Sequence, residues 1–239
     1  MIRSLFARQR LTWIALGAIW LVSVTIGLAA LARYDNAPGV AAAASGQWPA
    51  GTGLTRDLHG PTLVMLAHPR CTCTRASLAE LSELMTRART KPRAFVVFIK
   101  PGQMGDDWEL TDLWRTASRI PGVSVVRDDE GRQAARFGAE TSGQTFLYDA
   151  RGRLLFSGGT TGARGHAGDN AGRATLLALL HGETPQRKGS PVFGCPLFAS
   201  TDARPSIDRS IDAHTHEERR HTNEAATDDS HDRSLHRHP

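Results

Sequence analysis

The sequence predicts an α/β domain built on a mixed sheet, preceded by one apolar helix and followed by an irregular tail. Three observations predict it. Short apolar runs alternate with stretches of helical period between Pro61 and Leu180. Residues 11–32 carry no charge. From Ala199 the composition turns to Asp, Arg, His, Ser and Thr. The chain has 239 residues, a formal charge of +5 and 40% hydrophobic residues, which excludes a collagen, a coiled-coil rod or a wholly disordered chain. Without its two unusual ends it holds one domain of about 130 residues.

Residues 11–32 read LTWIALGAIWLVSVTIGLAALA. About 20 such residues, rising 1.5 Å each, span the roughly 30 Å hydrocarbon layer of a bilayer. A buried globular helix would need a polar face, and this run has none. Trp13 and Trp20 suit a membrane helix, Trp13 near one interface. Arg3, Arg8 and Arg10 precede the run, while Arg33 and Asp35 follow it, so the expected orientation leaves residues 1–10 in the cytoplasm and exports the rest. A cleaved signal peptide is the rival, with Ala30-Leu31-Ala32 as its cleavage site, although the run exceeds the usual signal core of about 7–15 residues. The expectation is a single-pass protein of the cytoplasmic (inner) membrane with a periplasmic or extracellular domain. Residues 33–57, rich in Ala, Gly and Pro, read as a linker holding the domain off the membrane.

The domain is expected over residues 58–184. Residues 61–67 (PTLVMLA) form an apolar run between Gly60 and His68-Pro69, a buried strand. Leu78, Leu81, Leu84 and Met85 then recur at helical spacing, with Glu80 and Glu83 on other faces, giving a helix from Cys73 or Thr74. Residues 94–99 (AFVVFI) form a second strand. Leu110, Leu113, Trp114 and Ala117 define a second helix, ended by Pro121-Gly122. Residues 123–126 form a third strand, and Ala134, Ala135 and Phe137 a short helix before Gly138. Residues 145–148 and 154–156 flank Asp149-Ala150-Arg151-Gly152, a hairpin expected at the sheet edge. A last helix covers residues 171–180, capped by Asp169 or Asn170 and closed by Gly182. Strands separated by helices favour a mainly parallel sheet.

The best candidate for chemistry is the pair Cys71 and Cys73 at the first strand-to-helix junction. Unpaired N–H groups and the dipole at a helix start favour thiolate over thiol. His68 and Arg70 could add positive charge. Three cysteines are too few for a disulfide scaffold. Cys195 lies beyond the last helix, in a segment (185–198) that Phe193, Leu197 and Phe198 could dock on the domain. There it could pair with Cys71 or Cys73, or stay single in a tethered tail.

The element order, with cysteines between the first strand and its helix, resembles the thioredoxin-like fold. HPRCTCTRAS, SGGTTGARGHAGDNAGR and VFGCPLF resemble the RedB group of membrane-anchored thioredoxin-like proteins. The resemblance covers about residues 60–198. It implies thiol–disulfide exchange with an exported or membrane-bound protein partner and no organic cofactor. Cys71 then holds the first position of the family's C-x-x-C motif, and Thr74 the second. This departure leaves Cys73 to resolve a mixed disulfide, with Cys195 as the other candidate. The family's cis-proline is also missing, since the matching stretch reads Ser142-Gly143-Gln144-Thr145. That loop normally faces a bound peptide, which makes Gln144, with Arg164 and His166 of the glycine-rich loop, the expected partner contacts.

Two other functions use the same residues. His68, Cys71 and Cys73 could hold copper or zinc, with Cys195 or His166 as a further ligand, because soft thiolates suit Cu(I) and Zn(II). Alternatively the cysteines could only report redox state in a regulatory or interaction domain. The glycine-rich loop lacks the phosphate-binding pattern and follows a hairpin strand, so it reads as a connection with unusual backbone angles. No basic-aromatic stripe points to nucleic acid. Asp106-Asp107 and Asp128-Asp129-Glu130 read as helix caps or solvent-facing groups. Residues 199–239 have 6 Arg against 9 Asp+Glu and six histidines (His214, His216, His221, His231, His236, His238). They read as a disordered tail, with loose metal binding or a response to acidity as a minor alternative.

Overall fold

The computed structural model describes residues 2–40 and 44–198. The tail expected over residues 199–239 lies outside them. Helix α1 covers Ile2–Asp35 and contains the uncharged run. From Arg10 to Asp35 it is long and apolar enough to cross a membrane, and its large side chains, including Trp13, Trp20 and Ile26, are exposed.

Strand β1 is Thr62–Ala67, helix α2 Thr72–Arg87, strand β2 Arg93–Lys100, helix α3 Asp112–Ser118 and strand β3 Val123–Asp129. Helix α4 is Arg132–Phe137, strands β4 and β5 are Gln144–Tyr148 and Leu154–Gly158, helix α5 is Ala171–Leu180, and strand β6 is Gly189–Ser190. The sheet order is β3-β2-β1-β4-β5-β6. Strands β1, β2 and β3 run parallel, β4 is antiparallel to β1 and β5 to β4. A central β1, the hairpin beside it and a helix leaving β1 at the cysteine pair make this a thioredoxin-like fold.

One face of the sheet (Leu63, Met65, Val96, Phe98, Leu147) packs on Leu78, Leu81 and Leu84 of α2, Leu113 of α3 and Leu176 of α5. Full burial of each leucine contributes about 1.5–3 kcal/mol. The other face (Val64, Leu66, Phe95, Val97, Phe146, Tyr148) is covered by α4 and by two segments without regular structure, through Trp48 and Leu54 on one side and Leu197 and Phe198 on the other.

Several expectations need correction. Residues 44–57 pack on the domain instead of holding it away. Trp48 sits edge-on to Phe137 and Tyr148, at 5.3 and 5.2 Å, and Leu54 is buried. The physical reason is that the second sheet face has only the short α4 to cover it. The hairpin is interior, because β4 pairs with β1, and the edge beyond β5 is β6, too short to show a period. Helix α2 begins one residue earlier than expected, at Thr72, and α3 begins after Leu110, which is exposed. Strand β3 extends to Asp129. There Asp128 is buried and accepts from the backbone N–H groups of Gln133 and Ala134 at 2.7 and 2.8 Å, capping α4; burial pushes its carboxyl up to about 6.

Candidate active site

The chain leaves β1 through His68, Pro69 and Arg70, and the Cys71 N–H closes this turn on the His68 carbonyl at 3.3 Å. The Thr111 hydroxyl, just ahead of α3, holds the turn by donating to the Pro69 carbonyl at 2.9 Å. Cys71 takes the N-cap position of α2 with extended backbone and no side-chain capping hydrogen bond. A cysteine where Ser, Thr, Asp or Asn would ordinarily cap leaves the first-turn N–H groups available to stabilise negative charge.

Three sulfurs meet above this turn. The Sγ atoms of Cys71 and Cys195 are 2.7 Å apart, although the residues are 124 positions apart in sequence. All three Sγ atoms of Cys71, Cys73 and Cys195 lie within 4.8 Å of one another. The cysteines are free. Cys71 and Cys73 are only 2% and 5% exposed, whereas Cys195 is half-buried.

Their environments differ. Burial opposes ionisation of Cys71. The Cys195 thiol and the backbone N–H groups of Cys195, Thr74 and Cys73 outweigh it and hold the Cys71 thiol below the ordinary cysteine value. Burial, with the neighbouring Cys71, pushes Cys73 up against the opposing N–H of Gly165 and charge of Arg164. Burial and hydrogen bonding to Cys71 push Cys195 up to about 12. Of the three, Cys71 is the thiol whose ionisation is favoured, and Cys195 is placed to donate its S–H to it.

Cys195 reaches this place because its segment adds to the loop before β4. The Ser142 N–H donates to the Cys195 carbonyl and the Leu197 N–H to the Glu140 carbonyl, both at 2.8 Å, and Thr141 and Pro196 form an antiparallel bridge. Val192 and Leu197 are buried, and Arg164 Nη1 donates to the Gly194 carbonyl. Gly194 is required by close approach, since a Cβ there would lie 2.0 Å from the Ser142 carbonyl oxygen.

The other expected site residues are distributed around this centre. His68 is not among the clustered ligand atoms. Its Nδ1 accepts from the Arg70 N–H at 3.1 Å, and burial and Arg70 lower its pKa. Neither His68 nor Arg70 supplies the charge that favours the thiolate; hydrogen bonds do, and the Arg70 guanidinium stacks on Trp108. Gln144 is wholly buried opposite Leu66 in the sheet, so a partner cannot reach it. Arg164 is half-buried over the Tyr34 ring at 4.9 Å, and His166 is exposed, with Nδ1 bonded to the Arg164 carbonyl.

Sequence reasoning missed three polar residues. The buried Thr74 hydroxyl donates to the His68 carbonyl and meets Ser142 Oγ, both at 2.9 Å, and Ser142 Oγ accepts from the His68 N–H. The position where the resembled C-x-x-C motif has its second cysteine is thus spent on a hydroxyl network that ties the junction to the β4 loop. In that loop Gly143 takes φ +89° and donates to the Leu66 carbonyl at 2.7 Å. Glu80, expected on a polar face, is 2% exposed. Its carboxylate binds Arg173 at 2.6 Å and accepts from the Gly168 N–H and the Asn170 side chain, fastening the glycine-rich loop to α2.

No family model matches the chain, and no curated protein does. Solved structures do. A hypothetical protein from Sinorhizobium meliloti is 21% identical, with a TM-score of 0.50 over 69% of this chain and 96% of that one. An uncharacterized conserved protein from Geobacillus kaustophilus is 17% identical, with a TM-score of 0.50 over 70% and 95%. The exposed lipoprotein thioredoxin of Streptococcus pneumoniae is a more distant likeness, at 18% identity and a TM-score of 0.37 over 51% and 84%. At these identities the likeness is one of fold.

Proposed function

We propose that this chain is a membrane-anchored thioredoxin-like thiol–disulfide oxidoreductase that acts outside the cytoplasm, akin to the RedB group. The observation that carries the reading is the Cys71 Sγ 2.7 Å from the Cys195 Sγ, with ionisation of Cys71 favoured. A disulfide between them needs only a small approach, because a bonded pair is about 2.05 Å apart. Cys71 and Cys195 are then the exchanging pair, with Cys71 the sulfur more readily held as an anion. Cys73 is held near both, but a link between Cys71 and Cys73 would span residues two apart under strain. Arg3, Arg8 and Arg10, ahead of the uncharged run of α1, support an exported domain, and the apolar helix supports an anchor. The partner is an exported or membrane-bound protein carrying a thiol pair or a disulfide. The reaction passes through a mixed disulfide and uses no organic cofactor.

The test is disulfide mapping of the oxidised full-length protein in detergent, together with turnover of a model disulfide. The reading expects a Cys71–Cys195 linkage and turnover that Cys71→Ser abolishes. Oxidation that changes partner binding without any turnover would mark a regulatory domain instead.

The three-sulfur cluster favours one second reading, a Cu(I) or Zn(II) site. Its ligands would be Cys71, Cys73 and Cys195, with Cys195 in the place first assigned to His68. Titration of the reduced protein with Cu(I) decides. A tight one-to-one complex lost in Cys195→Ser and kept in His68→Ala, without disulfide turnover, would establish metal handling.

A further inference from the structure

We propose that an incoming thiol attacks this centre at Cys195, so that the mixed disulfide forms on the C-terminal segment and Cys71 is the leaving group. The inference rests on the exchange reading above and assigns its point of attack. Displacement at sulfur is in line, so the nucleophile must approach the attacked atom from the side away from the departing sulfur. Cys71 is 2% exposed, enclosed by the turn after β1, the start of α2 and the docked segment. Cys195 is the partly exposed member of the three. Its chain neighbours Gly194 and Pro196 line a cleft of about 440 Å³, with Val40, Thr141, Arg164 and Phe198. That cleft adjoins the end of α1, where the Gly39 N–H donates to the Val192 carbonyl at 2.8 Å and the Arg164 N–H to the Asp35 carbonyl at 3.0 Å.

The segment itself is seated as a bound peptide would be, by backbone hydrogen bonds to the loop before β4. It therefore occupies the approach to Cys71, and its own cysteine is the partly exposed one of the three. A partner thiolate attacks Cys195 Sγ, a new S–S bond forms to Cys195, the Cys71–Cys195 bond breaks, and the electron pair stays on Cys71 as thiolate. A second thiolate attacks the partner's sulfur in the mixed disulfide and releases Cys195, which takes a proton from water. Two partner thiols are oxidised to one disulfide, and the protein disulfide is reduced by two electrons. The leaving group is the sulfur best stabilised as an anion, which speeds exchange.

Reduced glutathione is the probe. The oxidised full-length protein in detergent is mixed with it, quenched with acid within the first turnover, and its peptides are mapped. The expected result is glutathione on Cys195 in about ten-fold or greater excess over Cys71 and Cys73 together. Glutathione mainly on Cys71 would overturn the inference while leaving the exchange reading intact. A protein with no Cys71–Cys195 linkage before glutathione is added would overturn the exchange reading and the inference with it.

Discussion

Cys71 and Cys73 are held by a 16-residue helix, whereas Cys195 is held by an extended segment that borrows its partners from a loop. The helix side is rigid by local means. Its backbone bonds are internal, and Leu78, Leu81 and Leu84 fix it to the sheet. The segment side depends on a few long-range contacts: backbone hydrogen bonds with Gly39, Glu140 and Ser142, the Arg164 side chain on the Gly194 carbonyl, the burial of Val192 and Leu197, and the close approach of Gly194 to Ser142. The helix sets where negative charge is favoured, and the segment decides whether an S–H donor is there to hold it. On the proposed exchange reading, a centre split in this way is expected to lose its Cys195 half without unfolding of α2.

Substitutions can separate the halves. The largest effect is expected from Cys71→Ser, which removes one sulfur of the proposed exchanging pair and should lower disulfide turnover by about 10³-fold or more. A stopped assay with a model disulfide measures it, and residual turnover near wild type would move that role to Cys73. Next is Glu80→Ala, which leaves Arg173 buried without its main partner and should cost about 3–5 kcal/mol in denaturant unfolding. Because that ion pair fastens the loop carrying Gly165 and Arg164 to α2, the variant tests whether the helix side is one unit with the loop above it.

A smaller and more selective effect is expected from Gly194→Ala. Its Cβ would press on the Ser142 carbonyl, so the segment must shift, at about 1–3 kcal/mol. Formation of the Cys71–Cys195 disulfide should slow in proportion, while far-ultraviolet circular dichroism of the helices stays unchanged. Gly162→Ala is the control, since a Cβ there meets nothing within 4 Å and no effect is expected. Equal disulfide rates for the two variants would show that the segment docks without the Gly194 contact.

The same contrast explains what could be read from the sequence. The β1–α2 junction is local: an apolar run, a Pro-containing turn and leucines at helical spacing lie within about 25 residues, and the cysteines fall at their meeting point. The element order, with the cysteines at that junction, then carried the resemblance to the thioredoxin-like fold. Glu80 was misplaced because helical spacing distinguishes faces by polarity, and a carboxylate buried against Arg173 breaks that rule. Trp48 and Leu54 were read as linker because their partners, Phe137 and Tyr148, lie about 90 residues further along the chain. Cys195 left two possibilities open for the same reason. Its pairing depends on where β4 lies, and β4 next to β1 follows from sheet order, which no local pattern carries. Thr74 was weighed as a missing cysteine, and its hydroxyl bonds to His68 and Ser142 emerge only with that loop in place.

The most direct test is a pH titration of thiolate absorbance in the fully reduced protein, compared with Cys195→Ala. Wild type should show one thiol ionising below the ordinary cysteine range, with alkylation assigning it to Cys71, and loss of the Cys195 donor should move that ionisation upward. A wild-type protein whose thiols all ionise at or above free cysteine, or a Cys71 ionisation untouched by Cys195→Ala, would contradict the account.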